Sequence, residues 1–106
     1  FSARKYLEPS WFGLPLLMNK KYIKKKSIFL KYLNKNNIET RPILSGNFLK
    51  QPCVSLYNLN NPEKNFRNAN EIDERGFFIG LPTEKYTTQK VEYLANKLLQ
   101  IEKFSN

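Results

Sequence analysis

Histidine is absent from the chain and cysteine occurs once, at Cys53, and these two gaps exclude several chemistries together. Zinc sites of the usual sulfur and nitrogen type need several such ligands. An internal disulfide needs a second thiol, and Ser-His or Cys-His nucleophiles need an imidazole base. Glycine is scarce as well, with 4 residues, and they form no glycine-rich phosphate loop. No apolar run approaches the roughly 18 residues of a membrane-spanning helix; the longest, Trp11 to Met18, is strand-sized and broken by Gly13 and Pro15. Nothing reads as a cleaved secretory leader, and a single thiol suits a reducing compartment, so the expected location is cytoplasmic. Carboxylates are the minority charge, 9 against 18 lysines and arginines. The adjacent Asp73 and Glu74 point in different directions on a short helix and read as solvated rather than as an acid-base pair.

What remains is a chain of 106 residues, 41% hydrophobic and 14% aromatic, too apolar for a disordered tail and the right size for one domain with a modest core. The net charge of +9 invites association with polyanions, but only where the basic residues cluster. Clustering is limited to Lys20-Lys21 and Lys24-Lys25-Lys26. Lysine outnumbers arginine 14 to 4 and asparagine occurs 13 times, which reads as compositional bias more than as a designed face, and neither nucleic acid nor membrane is expected as a partner. The alternative is a stand-alone basic module that binds RNA or an acidic partner through Lys20 to Lys26.

Phe1 to Ser10 have no sustained period and read as a lead-in from something upstream. Trp11 to Met18 is the first strand, with Trp11 and Phe12 in the core. From Lys20 to Lys35 the spacing predicts a helix whose stripe is Ile23, Ser27, Leu30 and Leu33 or Asn34, widened by Phe29. Lys35 complements the helix dipole, and Asn36-Asn37 can supply a left-handed terminating residue. Ile38 to Leu44 is the second strand. Phe48 to Arg67, with Pro52 and Pro62, is mostly loop, and Cys53 within it is a small buried apolar residue. Asn68 to Arg75 is a short helix stopped by Gly76, burying Ala69 and Ile72. The short apolar run Phe77 to Leu81 is a central strand closed by Pro82. The last helix starts at a Thr87 cap, with Tyr86 and Val91 placed as a hydrophobic staple and Val91, Leu94, Leu98 and Ile101 as the packed stripe. The implied fold class is α+β: a small mixed or antiparallel sheet of about three strands with helices packed on one face. Leu14, Leu16 and Phe78 are expected to face the helices. Phe12 and Phe77 are left on the other face, as an apolar surface for a missing neighbour.

The most informative stretch is Ile38-Glu39-Thr40-Arg41-Pro42-Ile43-Leu44-Ser45-Gly46-Asn47. Arg41 ends a strand as a permanently charged planar fork of donors suited to a carboxylate or phosphate. Pro42 stops regular pairing, and Ser45-Gly46-Asn47 makes a polar turn that can bond backbone or ligand. The candidate ligand-binding residues are therefore Arg41, Ser45, Gly46 and Asn47, with no catalytic, cofactor-binding or metal-binding residue proposed.

The series Pro9-Ser10-Trp11-Phe12-Gly13, the Arg41 segment with Gln51-Pro52, Asn68-Ala69, and Gly76-Phe77-Phe78-Ile79-Gly80-Leu81-Pro82 resembles the C-terminal portion of DegT-type sugar-nucleotide aminotransferases. It is most similar to the branch that dehydrates 4-keto-6-deoxy nucleotide sugars at C-3 in lipopolysaccharide sugar biosynthesis. The resemblance implies a pyridoxal phosphate enzyme of fold type I that works as a homodimer, with residues 1–106 as its small C-terminal domain. That domain helps close the active site and position a nucleotide-sugar substrate. The cofactor-anchoring lysine, or the histidine that replaces it, would lie in the large domain, so no cofactor is expected on this chain alone. Arg41 would sit at the substrate edge, holding an amino-donor carboxylate or a diphosphate oxygen.

Overall fold

The computed structural model describes Tyr6, residues 8–59 and residues 66–104. Most of the expected lead-in, and Pro62 with its neighbouring asparagines, lie outside the described residues. The rest is an α+β unit built on a three-stranded antiparallel sheet of order β1-β3-β2, where β1 is Gly13–Leu17, β2 is Thr40–Arg41 and β3 is Gly76–Gly80. The apolar β3 is central, as expected. It pairs Leu14 with Ile79 and Leu16 with Phe77 on one side, and Thr40 with Ile79 and Arg41 with Phe78 on the other.

The helices are α1 (Lys26–Lys35), α2 (Pro52–Leu56), α3 (Arg67–Arg75) and α4 (Thr88–Leu99). The Lys20 to Lys35 segment is not one α-helix. Lys20–Lys25 winds as a 3-10 helix capped by the Asn19 side chain, and the α-helix starts only at Lys26. A tighter turn of about three residues rotates the buried stripe: Tyr22, Phe29 and Leu33 are buried, whereas Ser27 is exposed. Asn37 has φ 58° and ends α1 as anticipated. α3 runs directly into β3, and Gly76 at the junction is extended, at φ −79° and ψ 146°, rather than left-handed. On α3, Ala69 is half-buried and Ile72 exposed, because the helix packs through its polar residues instead.

Met18, Tyr22, Phe29, Leu33, Ile38, Phe77 and Ile79 form the core, joined by Leu16, Leu94, Leu98, Ile101 and Phe104 at its margin. Phe29 and Leu33 are 1% and 0% exposed, and each contributes on the order of 1.5–3 kcal/mol by leaving water. The side-chain alternation of β3 corrects the expected assignment: Phe77 and Ile79 face the helices, while Phe78 lies on the opposite face in a T-shaped contact with Phe12, at 5.8 Å between ring centroids. Trp11 and Phe12 are exposed rather than core, since pairing begins only at Gly13. Thr87 caps α4 through its hydroxyl, which accepts from the Lys90 amide at 3.3 Å. Val91 is half-exposed, because α4 meets the core only from Leu94 onward, and the 3-10 turn Gln100–Phe104 completes that contact.

Candidate functional site

Strand alternation decides what Arg41 faces. Ile38 and Thr40 turn to the core side, so Glu39 and Arg41 share the open face with Phe78, the direct cross-strand partner of Arg41. Pairing stops at Pro42, as the missing amide requires. The Arg41 Nε donates to Glu39 Oε1 at 2.9 Å, and its Nη2 lies 2.7 Å from the same oxygen. Both side chains remain about two-thirds exposed, 66% for Arg41 and 71% for Glu39. Together with Phe12, Phe78 and Gly80 they line a shallow concavity of about 200 Å³.

The turn after Arg41 points elsewhere. The Gly46 amide donates to the Ile43 carbonyl at 2.9 Å, which closes a turn in which Leu44 has φ 45° and Gly46 φ 60°. A left-handed leucine costs about 1–2 kcal/mol, and Leu44 is 83% exposed, so the turn holds an apolar side chain in water. Gly46 passes against the carboxylate of Asp73 on α3, where any Cβ would overlap it. Asn47, the one buried polar residue among those described, donates from Nδ2 to Asn70 Oδ1 at 2.6 Å and accepts from the Leu49 amide at 3.0 Å. The Ser45 carbonyl accepts from Gln51 Nε2 at 3.1 Å. Gly46 and Asn47 thus seat the loop on α3. Arg41 stands apart from them, in a concavity whose lining includes none of the turn residues.

Electrostatics tighten this seat. The Lys50 ammonium, 2.7 Å from Asp73 Oδ2, is the main cause of the lowered Asp73 pKa, and the Asn47 amide adds to it. Glu71 is lowered likewise, first by Lys20 and then by Arg75. Groups whose pKa falls on folding add stability that is complete above the ordinary carboxylate range and disappears as pH falls through their folded values. The unfolding midpoint should therefore drop between about pH 5 and about pH 2, and Lys50→Met should make that drop smaller. Melting followed by circular dichroism against pH measures it, and an equal acid slope in both proteins would contradict the assignment.

The basic run is largely engaged within the fold. Lys20 pairs with Glu71 at 2.7 Å, and Lys21 lies 4.7 Å from the centroid of the Tyr22 ring. The Lys26 ammonium donates to the Asp73 and Glu74 carbonyls at 3.3 and 2.9 Å. It thereby covers the C-terminus of α3, and burial lowers its pKa. Cys53 is half-buried in α2 beside the fully buried Val54. Among the described residues no His, Cys, Asp or Glu group could hold a metal ion, and no helix is long and apolar enough to cross a membrane.

A second, larger feature escaped the sequence reading. An open groove of about 970 Å³ runs between the first half of α4 and the β3 end, with Tyr86, Lys90 and Tyr93 on one wall and Asn36, Asn37 and Leu81 on the other. Tyr93 Oη donates to the Asn36 carbonyl at 3.1 Å across it. Its trace in the sequence is the helical spacing of Tyr86, Lys90 and Tyr93.

Comparison with known proteins places these features in context. The chain is 37% identical over 73 residues to GDP-4-keto-6-deoxy-D-mannose 3-dehydratase of Escherichia coli O55:H7, covering 69% of this chain and 19% of that protein. A protein of the same name from Yersinia pseudotuberculosis is 32% identical over 87 residues, covering 76% and 22%. Lipopolysaccharide biosynthesis protein RfbH of Salmonella typhimurium is 28% identical over 90 residues, covering 85% and 20%. No protein-family model and no solved structure matches the chain. The chain spans about a fifth of the length of these curated relatives, and over most of its own length it is similar to sugar 3-dehydratases and to a lipopolysaccharide biosynthesis protein.

Proposed function

We propose that residues 1–106 are the small, substrate-side domain of an enzyme acting on a 4-keto-6-deoxy nucleotide sugar in lipopolysaccharide biosynthesis. The parent would be of the DegT type, a cytoplasmic homodimer that uses pyridoxal phosphate. The observation that carries this reading is the similarity to sugar 3-dehydratases over 69% and 76% of the chain. The one-sided sheet supports it. Helices cover Phe77 and Ile79, while the other face exposes Phe12 in the concavity with Arg41, and Leu17 farther along β1, which is the surface of a domain that works against a neighbour.

Among the described residues, the smaller concavity contains no lysine and the groove has only the exposed Lys90. Under the proposal the cofactor belongs to the rest of the polypeptide, and this chain binds and orients substrate through the open face. The Ser45-Gly46-Asn47 turn holds that face in register with α3. Because Glu39 already compensates the Arg41 charge, what the site offers is a donor-acceptor pair rather than a bare cation.

An absorbance titration with pyridoxal phosphate tests the division of labour. The 106-residue chain alone is expected to leave the spectrum of free cofactor unchanged, whereas the polypeptide that carries it should develop a band of bound cofactor. A bound-cofactor band with the 106 residues alone would overturn the domain assignment.

A further inference from the structure

A strand as short as Thr40–Arg41 cannot fix its own place: it meets β3 through two residue pairs, and Pro42 ends the ladder. Anchors outside the sheet hold it. Beyond Arg41 the turn is seated on α3 through Asn47 and Asn70. Before Thr40 the chain leaves α1 by a tight connection, in which the Asn36 and Ile38 amides both donate to the Leu33 carbonyl, at 2.9 and 3.0 Å, and the Asn37 amide donates to the Asn34 carbonyl at 3.1 Å. Leu33 and Ile38 are buried in the core, so this end of α1 is itself immobilised by packing.

One side chain carries that immobility across to the strand. Asn34, in the last turn of α1, accepts from the Thr40 amide at Oδ1, 3.2 Å away, and donates from Nδ2 to the Thr40 hydroxyl at 3.2 Å and to the Leu30 carbonyl at 2.9 Å. A carboxamide suits this place because it offers an acceptor and two donors at once. β2 is an edge strand, whose outward amides would otherwise be left to water; Asn34 takes the one at Thr40. Arg41 follows directly. Its side chain is two-thirds exposed and pairs with Glu39 of the same strand, so the place of the guanidinium follows the backbone of β2, and that backbone is tied to α1 at Thr40.

We propose that Asn34 is a positioning residue: its side chain clamps β2 to α1 and thereby sets where Arg41 stands on the open face. The proposal rests on the reading of that face as the substrate side of an enzyme, and adds to it a residue that acts through Arg41 without meeting substrate.

Asn34→Ala, alone and combined with Arg41→Ala in the complete polypeptide, tests it by steady-state kinetics. The single variant should lower kcat/KM by about three- to tenfold. Once Arg41 is already alanine, the same change should cost less than about twofold, because residues that act through one group are not additive. Alanine is the better helix former, so the melting temperature should move by no more than about 3 °C. Asn34→Asp keeps an acceptor for the Thr40 amide and should stay within about twofold of the unsubstituted enzyme. No loss in Asn34→Ala, or an equal loss in both backgrounds, would overturn the role. Amide hydrogen exchange on the 106-residue chain reads the clamp without any turnover. In Asn34→Ala the Thr40 and Arg41 amides should exchange at least about tenfold faster, while the β1–β3 ladder keeps its protection. Unchanged exchange at Thr40 would overturn the clamp even in an active enzyme. The expected exchange in a polypeptide that converts no 4-keto nucleotide sugar would keep the clamp and remove the enzyme reading.

Discussion

Arg41→Ala is expected to lower kcat/KM of the complete enzyme by about ten- to a hundredfold, the loss of one charge-assisted contact to substrate, while leaving the fold intact. The two halves of this expectation have different origins. The Arg41–Glu39 pair is two-thirds exposed, and ion pairs of that kind contribute about 0–1 kcal/mol to stability. Neither partner is left buried by the truncation, so the melting temperature should barely move. A substrate contact made equally in ground and transition states appears as a raised KM with unchanged kcat, and one made only in the transition state appears in kcat. Steady-state kinetics on the two proteins measure this. Identical kinetics would reduce Arg41 to a surface ion pair.

Gly46→Ala should have the largest effect on stability. At φ 60° an alanine carries a left-handed cost of about 1–2 kcal/mol, and its Cβ would occupy the place of the Asp73 carboxylate. Displacing Asp73 breaks its 2.7 Å contact with Lys50 and disturbs the Asn47–Asn70 bond beside it. The combined loss is expected to reach about 2–4 kcal/mol, which in a domain of this size lowers the melting temperature by roughly 10 °C or more. Gly80→Ala is the matched control, expected to stay within about 0.5 kcal/mol, because nothing lies within 4 Å of its Cβ. Thermal unfolding of the two variants decides it. Equal melting temperatures would mean that the turn is not seated on α3 as described.

The contrast between these glycines shows what was legible in the sequence. Turn chemistry was readable: Asn37 as a left-handed terminator, Gly46 at positive φ, Pro42 as the end of pairing and Thr87 as a cap all follow from the conformational limits of single residues. The central position of β3 was legible from its apolar run, although the edge strand β1 is equally apolar, so composition alone did not separate the two. What a residue faces was harder to read. Phe77 and Phe78 are identical in kind, and their assignment turns on a one-residue register that the pairing of Leu16 with Phe77 sets. The 3-10 start of the Lys20 to Lys35 segment changed the helical period, so Tyr22 became core and Ser27 surface. The polar seat among Gly46, Asn47, Asn70 and Asp73 joins residues 23 to 27 positions apart, and no local pattern announces it. Asn47 looked like a turn residue and is one, but its amide is spent on α3. Glu39 was passed over as a flanking charge, although the period of two along a strand places it next to Arg41.

The central claim is that these residues serve a 4-keto-6-deoxy nucleotide-sugar enzyme. The direct measurement is turnover of GDP-4-keto-6-deoxymannose, the sugar in the names of the relatives, by the complete polypeptide with pyridoxal phosphate, with products identified by NMR. The account predicts conversion at C-3 or amination at C-4 that falls at least about tenfold with Arg41→Ala. A cofactor-saturated, folded polypeptide that leaves this and other 4-keto-6-deoxy nucleotide sugars unchanged would contradict it.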